Sequence, residues 1–127
     1  MRILVIDDER DVTLVVSEAL RDRGHEVDCA SSGHQAIAIA RDFRPDAVLV
    51  DIGLPDIDGV TLAELLRGSV PDKRLRVVAF SGYEDLALRH TIQRDLFDDY
   101  LLKPASLRAI AEALVGPFTT RAAQPAR

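Results

Sequence analysis

The feature that most constrains the fold is an alternation, repeated five times, between short apolar segments and segments that carry a helical apolar stripe. The short segments, several rich in β-branched residues, lie at positions 3–6, 26–29, 47–50, 77–80 and 100–102. The first, third and fourth are continuously apolar, which is typical of central parallel strands that are covered on both faces. The second and fifth are shorter or more polar, which favours the edges of a sheet.

Each short segment is followed by apolar residues at helical spacing. The stripes lie within residues 12–20, 36–40, 62–66, 86–92 and 107–114. The first helix is expected to end at Gly24, the third to be closed by Gly68 and Pro71, and the fifth to end at Gly116-Pro117. Strand–helix units in this order predict a parallel α/β sheet with right-handed crossovers and helices on both faces.

The length and the composition restrict the organisation and the function. The 127 residues, of which 47% are hydrophobic and 29% charged, suit one soluble domain. We assign it to residues 1–117, and expect residues 118–127, which lack periodicity, to be a flexible tail or the start of a linker. The net charge of -5 argues against direct binding of nucleic acid.

The cysteine content and the N-terminal sequence indicate where the protein works. Cys29 is the only cysteine, so no disulfide can form within the chain, and a reducing compartment, the cytoplasm, is expected. Cys29 itself is predicted to be buried in the second strand. Acidic residues at positions 7–9 interrupt the N-terminal apolar run, and no apolar stretch is long enough to span a bilayer. Neither a signal peptide nor membrane contact is therefore expected.

Polar side chains follow four of the five predicted strands. Asp7 and Asp8 come after the first strand, Asp51 after the third, Ser81 after the fourth and Lys103 after the fifth. The carboxyl ends of parallel strands meet at one edge, where open α/β sheets bind ligands. Each residue alone has an ordinary structural explanation; Asp8, for example, would suit the N-cap of the first helix. Three carboxylates gathered at one edge would repel one another unless a cation lies among them, and such hard oxygen ligands suit Mg²⁺.

Four motifs strengthen this interpretation. They are Ile6-Asp7-Asp8-Glu9, DIGLPDIDG at residues 51–59, Ser81-Gly82, and DDYLLKP at residues 98–104. In this order, and over residues 2 to 116, the chain resembles the receiver domains of response regulators in two-component signalling. The wording of DIGLPDIDG is also similar to the receivers of hybrid sensor kinases. The resemblance implies a flavodoxin-like, doubly wound (βα)5 fold whose five-stranded parallel sheet has the order 2-1-3-4-5.

The resemblance also implies a role for the residues that follow the strands. Asp51 matches the phosphoacceptor, and Lys103 matches the lysine that contacts the phosphoryl group. Asp8 and Asp51 match the direct ligands of Mg²⁺, together with the backbone carbonyl of Gly53, and Asp7 matches the residue that reaches the metal through water. The chemistry is consistent with these roles, because a carboxylate is a known nucleophile for aspartyl phosphate formation and phosphoryl transfer depends mainly on positioning and charge neutralisation.

Ser81 and Tyr100 match the family's switch residues. After phosphorylation the Ser81 hydroxyl is expected to move toward the phosphoryl group, and Tyr100 to turn into the space that it leaves. This would change the face formed by the fourth predicted helix, the fifth strand and the fifth predicted helix, whose charged residues suit a protein partner or a homodimer. The Lys103–Pro104 bond is expected to be cis. One departure from the family pattern is Leu96, where many receivers have a small residue.

The predicted function is thus a phosphoacceptor signalling domain of a two-component system or phosphorelay, which catalyses only its own phosphorylation and dephosphorylation. The expected partners are a sensor histidine kinase or a histidine-phosphotransfer protein, and an unidentified downstream protein. One alternative is a Mg²⁺-dependent phosphohydrolase that forms a phosphoaspartate; enzymes similar to haloacid dehalogenases separate their two aspartates by one residue, whereas Asp7 and Asp8 are adjacent. Another is an interaction module independent of phosphorylation, which is disfavoured because the acceptor, acidic pair and lysine are all present.

Overall fold

The structure, a computed structural model, describes residues 1–82 and 97–116. Within these residues, five strands form one sheet in the order β2-β1-β3-β4-β5, and every neighbouring pair is parallel. The strands are β1 (Arg2–Ile6), β2 (Glu26–Ala30), β3 (Ala47–Asp51), β4 (Arg76–Ser81) and β5 (Asp99–Leu102). The predicted parallel sheet and its strand order are confirmed.

Four helices are found in the described part of the chain. They are α1 (Arg10–Asp22), α2 (Gly33–Phe43), α3 (Gly59–Ser69) and α4 (Leu107–Val115). The side chains of Ser32, Asp58 and Ser106 cap the starts of α2, α3 and α4, each accepting a hydrogen bond from a backbone N–H three residues later. Helix α4 corresponds to the fifth helix predicted from the sequence. The fourth predicted helix, at residues 86–92, and the tail at residues 118–127 lie outside the described residues.

Helices cover both faces of the sheet. Successive side chains of a strand point to opposite faces, so Leu4 and Val48 belong to one buried cluster and Ile3 and Leu49 to the other. Helices α2 and α3 pack on the first cluster, and α1 and α4 on the second. Strands β1, β3 and β4 are buried almost throughout, whereas the edge strands β2 and β5 are partly exposed, as expected. In this part of the chain, no helix combines the length and hydrophobicity that a membrane span requires.

Local details differ from the sequence expectations at two positions. Helix α3 continues through Gly68 to Ser69, because a single exposed glycine costs a helix only about 1 kcal/mol and the chain leaves the helix where Val70 becomes buried. Cys29 is half-buried, because β2 is an edge strand. The predicted stop at Gly24 is observed: its φ of 92° is the left-handed conformation that glycine adopts easily after a helix.

Candidate functional site

The carboxyl ends of β1, β3 and β5 bring three carboxylates and one ammonium group together. Asp7 and Asp8 follow β1, Asp51 ends β3 and Lys103 follows β5. One oxygen of each aspartate lies within 4.8 Å of an oxygen of the other two. Lys103 Nζ lies 2.8 Å from Asp7 Oδ2 and 3.4 Å from Asp51 Oδ2. The Lys103–Pro104 bond is cis, as expected. The structure thus places these four predicted site residues in one cluster.

The cluster is buried on one side and open on the other. Asp7 is 1% exposed and Asp51 is 5% exposed, whereas Asp8 is exposed to solvent. Asp7 Oδ1 accepts a hydrogen bond of 2.9 Å from the backbone N–H of Glu9, and Asp51 Oδ1 accepts one of 2.9 Å from the N–H of Gly53. Each buried carboxylate is therefore fixed by the N–H two residues later, the usual geometry of an aspartate at a turn.

Burial and charge change the proton affinities of Asp51 and Lys103. Burial raises the pKa of Asp51 to about 6; the N–H of Gly53 opposes this rise, the negative charge of Asp7 adds to it, and Lys103 opposes it. Burial alone would lower the pKa of Lys103, but the hydrogen bond to Asp7 and the charges of Asp51, Asp7 and Glu9 outweigh burial and raise it. Lys103 therefore remains a cation at neutral pH, held against two buried carboxylates.

The acidic cluster fits a divalent cation. Mg²⁺ is usually held by one or two carboxylates while it keeps several waters, and the exposure of Asp8 leaves room for such waters on the open side. Lys103 supplies one positive charge to three carboxylates, so Asp7, Asp8 and Asp51 retain a negative excess that favours a cation. Asp8 is not the cap of α1, because Glu9 occupies the N-cap position and makes no side-chain cap hydrogen bond.

Of the three remaining predicted site residues, Gly53 and Ser81 border this cluster and Tyr100 does not. Gly53 follows β3 and its N–H is directed at Asp51. Ser81 ends β4 with 2% exposure, and its backbone carbonyl accepts a hydrogen bond of 2.7 Å from the N–H of Lys103. Tyr100 is half-buried on β5, with its ring centroid 5.4 Å from that of Phe97. Ser81 therefore borders the acidic cluster, while Tyr100 lies further back along the sheet, where β4 pairs it with Ala79.

Two acidic residues make contacts at or near the site that the sequence motifs do not reveal. Glu9 Oε1 lies 3.4 Å from Lys103 Nζ, although the two residues are 94 positions apart. Asp56, in the loop after β3, binds the start of α2, whose residues are 22 and 23 positions away. The sheet-edge argument could have suggested Glu9, which directly follows the predicted acidic pair, but no sequence signal connects Asp56 with α2.

Comparisons with known proteins agree with this geometry. The family model "Response regulator receiver domain" matches residues 3–115. The transcriptional regulatory protein PrrA of Mycobacterium leprae is 37% identical over 117 residues, which cover 90% of this chain and 49% of that protein. The virulence transcriptional regulatory protein PhoP of Salmonella typhimurium is 32% identical over 110 residues, covering 87% of this chain and 48% of that protein. The chain thus spans about half the length of these two curated relatives.

A solved structure supports the same fold. The crystal structure of a response regulator receiver domain protein from Clostridium thermocellum superposes with a TM-score of 0.77 at 26% sequence identity. The match covers 88% of this chain and 89% of that one. The family model therefore extends over nearly the whole domain, including every strand end that contributes to the acidic cluster.

Proposed function

The chain belongs to the response regulator receiver domain family, and on that premise we propose that it accepts a phosphoryl group on Asp51 within a two-component system or phosphorelay. The single observation that carries the proposal is the environment of Asp51. This buried carboxylate ends β3, lies 3.4 Å from the Lys103 ammonium and shares a cluster with Asp7 and Asp8. The domain acts as a signalling module that catalyses only its own phosphorylation and dephosphorylation.

The Asp51 carboxylate is the nucleophile of the proposed reaction. An oxygen of Asp51 attacks the phosphorus atom of a phosphohistidine on the donor protein, an O–P bond forms, and the P–N bond breaks with its electron pair passing to the imidazole nitrogen. Attack requires the ionised carboxylate, and a pKa of about 6 leaves most molecules ionised at neutral pH. The Gly53 N–H, bound to Oδ1, holds the carboxylate in one orientation while it waits for the donor.

Lys103 provides fixed positive charge next to the acceptor. Its ammonium is paired with Asp7 Oδ2 at 2.8 Å and lies close to Asp51. As negative charge builds on the phosphoryl oxygens, a preorganised ammonium stabilises the transition state without having to move into place. After transfer, the phosphoryl group carries a charge of about -1.5 to -2 at neutral pH, so Lys103 gains a stronger anionic partner than the free carboxylate.

The same residues would hold the metal ion that phosphoryl transfer uses. The donor set would be Asp8, Asp51 and the backbone carbonyl of Gly53, and Asp7 would act through water. Bound Mg²⁺ supplies charge neutralisation at the phosphoryl oxygens. Asp7 contributes in a second way, because its buried carboxylate holds Lys103 at the site through a 2.8 Å ion pair.

Ser81 and Tyr100 form the proposed output switch. Ser81 is buried, and its backbone carbonyl accepts a hydrogen bond from the N–H of Lys103. Its hydroxyl would donate to a phosphoryl oxygen on Asp51. Movement of Ser81 would open space toward β5, where the half-buried Tyr100 lies. The signal would then reach a downstream protein, or a second copy of the chain, through the face that includes β5 and α4. The proposed phosphoryl donor is a sensor histidine kinase or a histidine-phosphotransfer protein, since response regulators work with such donors.

Intact-mass analysis after incubation with acetyl phosphate and MgCl2 tests the proposal. The parent should gain one phosphoryl group, and Asp51→Asn should gain none. Asp72→Asn is the matched control, because Asp72 is an exposed carboxylate in the loop before β4, at the opposite end of the strands, and should be labelled like the parent. Labelling of Asp51→Asn at the parental rate, or a parental rate that survives removal of Mg²⁺ by a chelator, would refute the assignment.

A further inference from the structure

A side chain of the phosphoacceptor loop binds the first turn of a neighbouring helix. Asp56 lies in the loop of residues 52–58, which joins β3 to α3. Its Oδ1 accepts a hydrogen bond of 3.1 Å from the N–H of Gly33, and its Oδ2 accepts one of 3.0 Å from the N–H of His34. The His34 imidazole lies 2.7 Å from the same Oδ2. Both carboxylate oxygens are thus bound by the start of α2.

These hydrogen bonds satisfy the helix end as well as the carboxylate. The first N–H groups of a helix have no partners within the helix and carry a partial positive charge. Asp56 accepts from the first two, and Ser32 accepts from that of Gln35. The N–H groups of His34 and Gly33 lower the pKa of Asp56 to about 2, so the contact is a charge-assisted one at neutral pH.

The contact is also sterically close. A Cβ atom added to Gly33 would lie 3.1 Å from Ile57 Cβ and Cδ1, a tighter approach than ordinary van der Waals contact. Ile57 is partly buried against the core cluster that also receives α2. The absence of a side chain at Gly33 therefore lets the helix start and the loop pack directly on each other, while Asp56 fixes their alignment.

The loop that Asp56 holds also contains the groups that orient the acceptor. The N–H of Ile52 donates to the carbonyl of Phe80 at 3.1 Å, and the N–H of Gly53 donates to Asp51 Oδ1 at 2.9 Å. At its far end, Asp58 caps α3 by accepting from the N–H of Thr61. The loop is thus fixed to β4 at its start and to α3 at its end, and Asp56 fixes the part between them to α2.

We propose that Asp56 is a positioning residue of the phosphoacceptor site: by holding the loop on the start of α2, it keeps the Gly53 backbone in place against Asp51. This inference rests on the proposed function. It gives α2 a part in phosphoryl acceptance, although α2 contributes no side chain to the acidic cluster. The contact also couples the start of α2 energetically to the phosphoacceptor site. A partner that displaced the start of α2 would loosen the loop and weaken the site, and by reciprocity an occupied site would weaken the binding of that partner.

Two variants disturb this contact from opposite sides, and a third serves as the control. Asp56→Ala removes the carboxylate from the loop, and Gly33→Ala pushes Ile57 away from the helix. Ser32→Ala weakens the same helix start by removing its other side-chain cap, but Ser32 accepts from Gln35 within α2 and not from the loop. If Asp56 did no more than stabilise the start of α2, Ser32→Ala should therefore have the same effect as the other two variants.

The first measurement is amide hydrogen exchange at Gly53 by NMR, in metal-free, unphosphorylated protein. Asp56→Ala and Gly33→Ala should speed exchange at Gly53 by about tenfold. Losing roughly one hydrogen bond lowers the free energy of local opening by about the amount that corresponds to this factor. Ser32→Ala should stay within about twofold of the parent. Unchanged exchange in Asp56→Ala, or an equal increase in Ser32→Ala, would overturn the proposal.

The second measurement is the rate of phosphorylation by acetyl phosphate as the MgCl2 concentration is varied. Asp56→Ala and Gly33→Ala should be labelled more slowly than the parent and need more Mg²⁺ for half-maximal rate, while Ser32→Ala behaves like the parent. Parental rates and Mg²⁺ dependence in both loop-contact variants would overturn the proposal. If the parent is not labelled at all, the proposed function fails, and the exchange measurement still decides whether Asp56 positions Gly53.

Discussion

Replacing Asp51 by asparagine should stabilise the metal-free protein at neutral pH, although the change removes the proposed acceptor. Burial is the largest cause that raises the pKa of this carboxyl from 3.8 to about 6 in the folded protein. Since the folded-state pKa lies above the unfolded value, the folded protein binds the proton more tightly than the unfolded chain does. The parent therefore loses stability as the pH rises from about 4 to about 6, and the whole loss is present above about pH 6.

The size of the effect follows from the difference in pKa. At about 1.36 kcal/mol for each pH unit, ionising Asp51 costs the folded protein about 3 kcal/mol. Asparagine has nearly the same shape and stays neutral at every pH, so Asp51→Asn should recover about this amount above pH 7. For a domain of this length, the thermal midpoint should rise by roughly 10 °C.

Urea denaturation of both proteins in EDTA, at several pH values between 4 and 8, measures this difference. The gap in unfolding free energy should be near its full size at pH 7.5 and should close as the pH falls toward 4. Asp72→Asn is the control, and its effect on stability should have the opposite sign, because Arg44 and the residue's own backbone N–H lower the pKa of the exposed Asp72 carboxyl. An Asp51→Asn protein no more stable than the parent at pH 7.5, or a gap that is constant over the whole range, would refute the electrostatic reasoning.

Three further changes probe other interactions in the domain. Lys103→Met should slow labelling by acetyl phosphate at least about tenfold, because it removes the fixed ammonium beside the acceptor; a rate near that of the parent would contradict that role. Arg76→Met should lower the unfolding free energy by about 2 kcal/mol in urea, because the buried guanidinium donates to backbone carbonyls at the end of α4, including that of Gly116. Ser81→Ala should still bind beryllofluoride but should reduce the resulting change in the Tyr100 amide shift; a full parental change would exclude the hydroxyl from the switch.

The strands and their placement in the sheet were the most predictable part of the fold. A strand buried on both faces needs apolar side chains at every position, and β3 and β4 are buried throughout. The edge strands need them only on one side, so their mixed composition was informative too. The apolar pattern of the sequence does not give the order of the strands, however. The order β2-β1-β3-β4-β5 was predicted only from the resemblance to receiver domains.

The acidic cluster was predictable because parallel strands all end at the same edge of the sheet. Residues that follow neighbouring strands, such as Asp7 after β1 and Asp51 at the end of β3, therefore lie near each other whatever their separation along the chain. Loop contacts obey no such rule. Asp56 could not be connected with α2, because its position depends on the path of the loop after β3. Glu9, in contrast, directly follows Asp8, so the sheet-edge argument could have suggested its contact with Lys103.

Phosphorylation of Asp51 can be tested directly by identifying the residue that receives the phosphoryl group. Borohydride reduces an acyl phosphate on an aspartate to homoserine, so the modified residue can be read by peptide sequencing in a mass spectrometer. After phosphorylation with acetyl phosphate and MgCl2, homoserine should appear at position 51 in the parent, and in no peptide of Asp51→Asn. Homoserine at Asp7 or Asp8 in the parent, or no homoserine in a protein that has gained phosphate, would contradict the account.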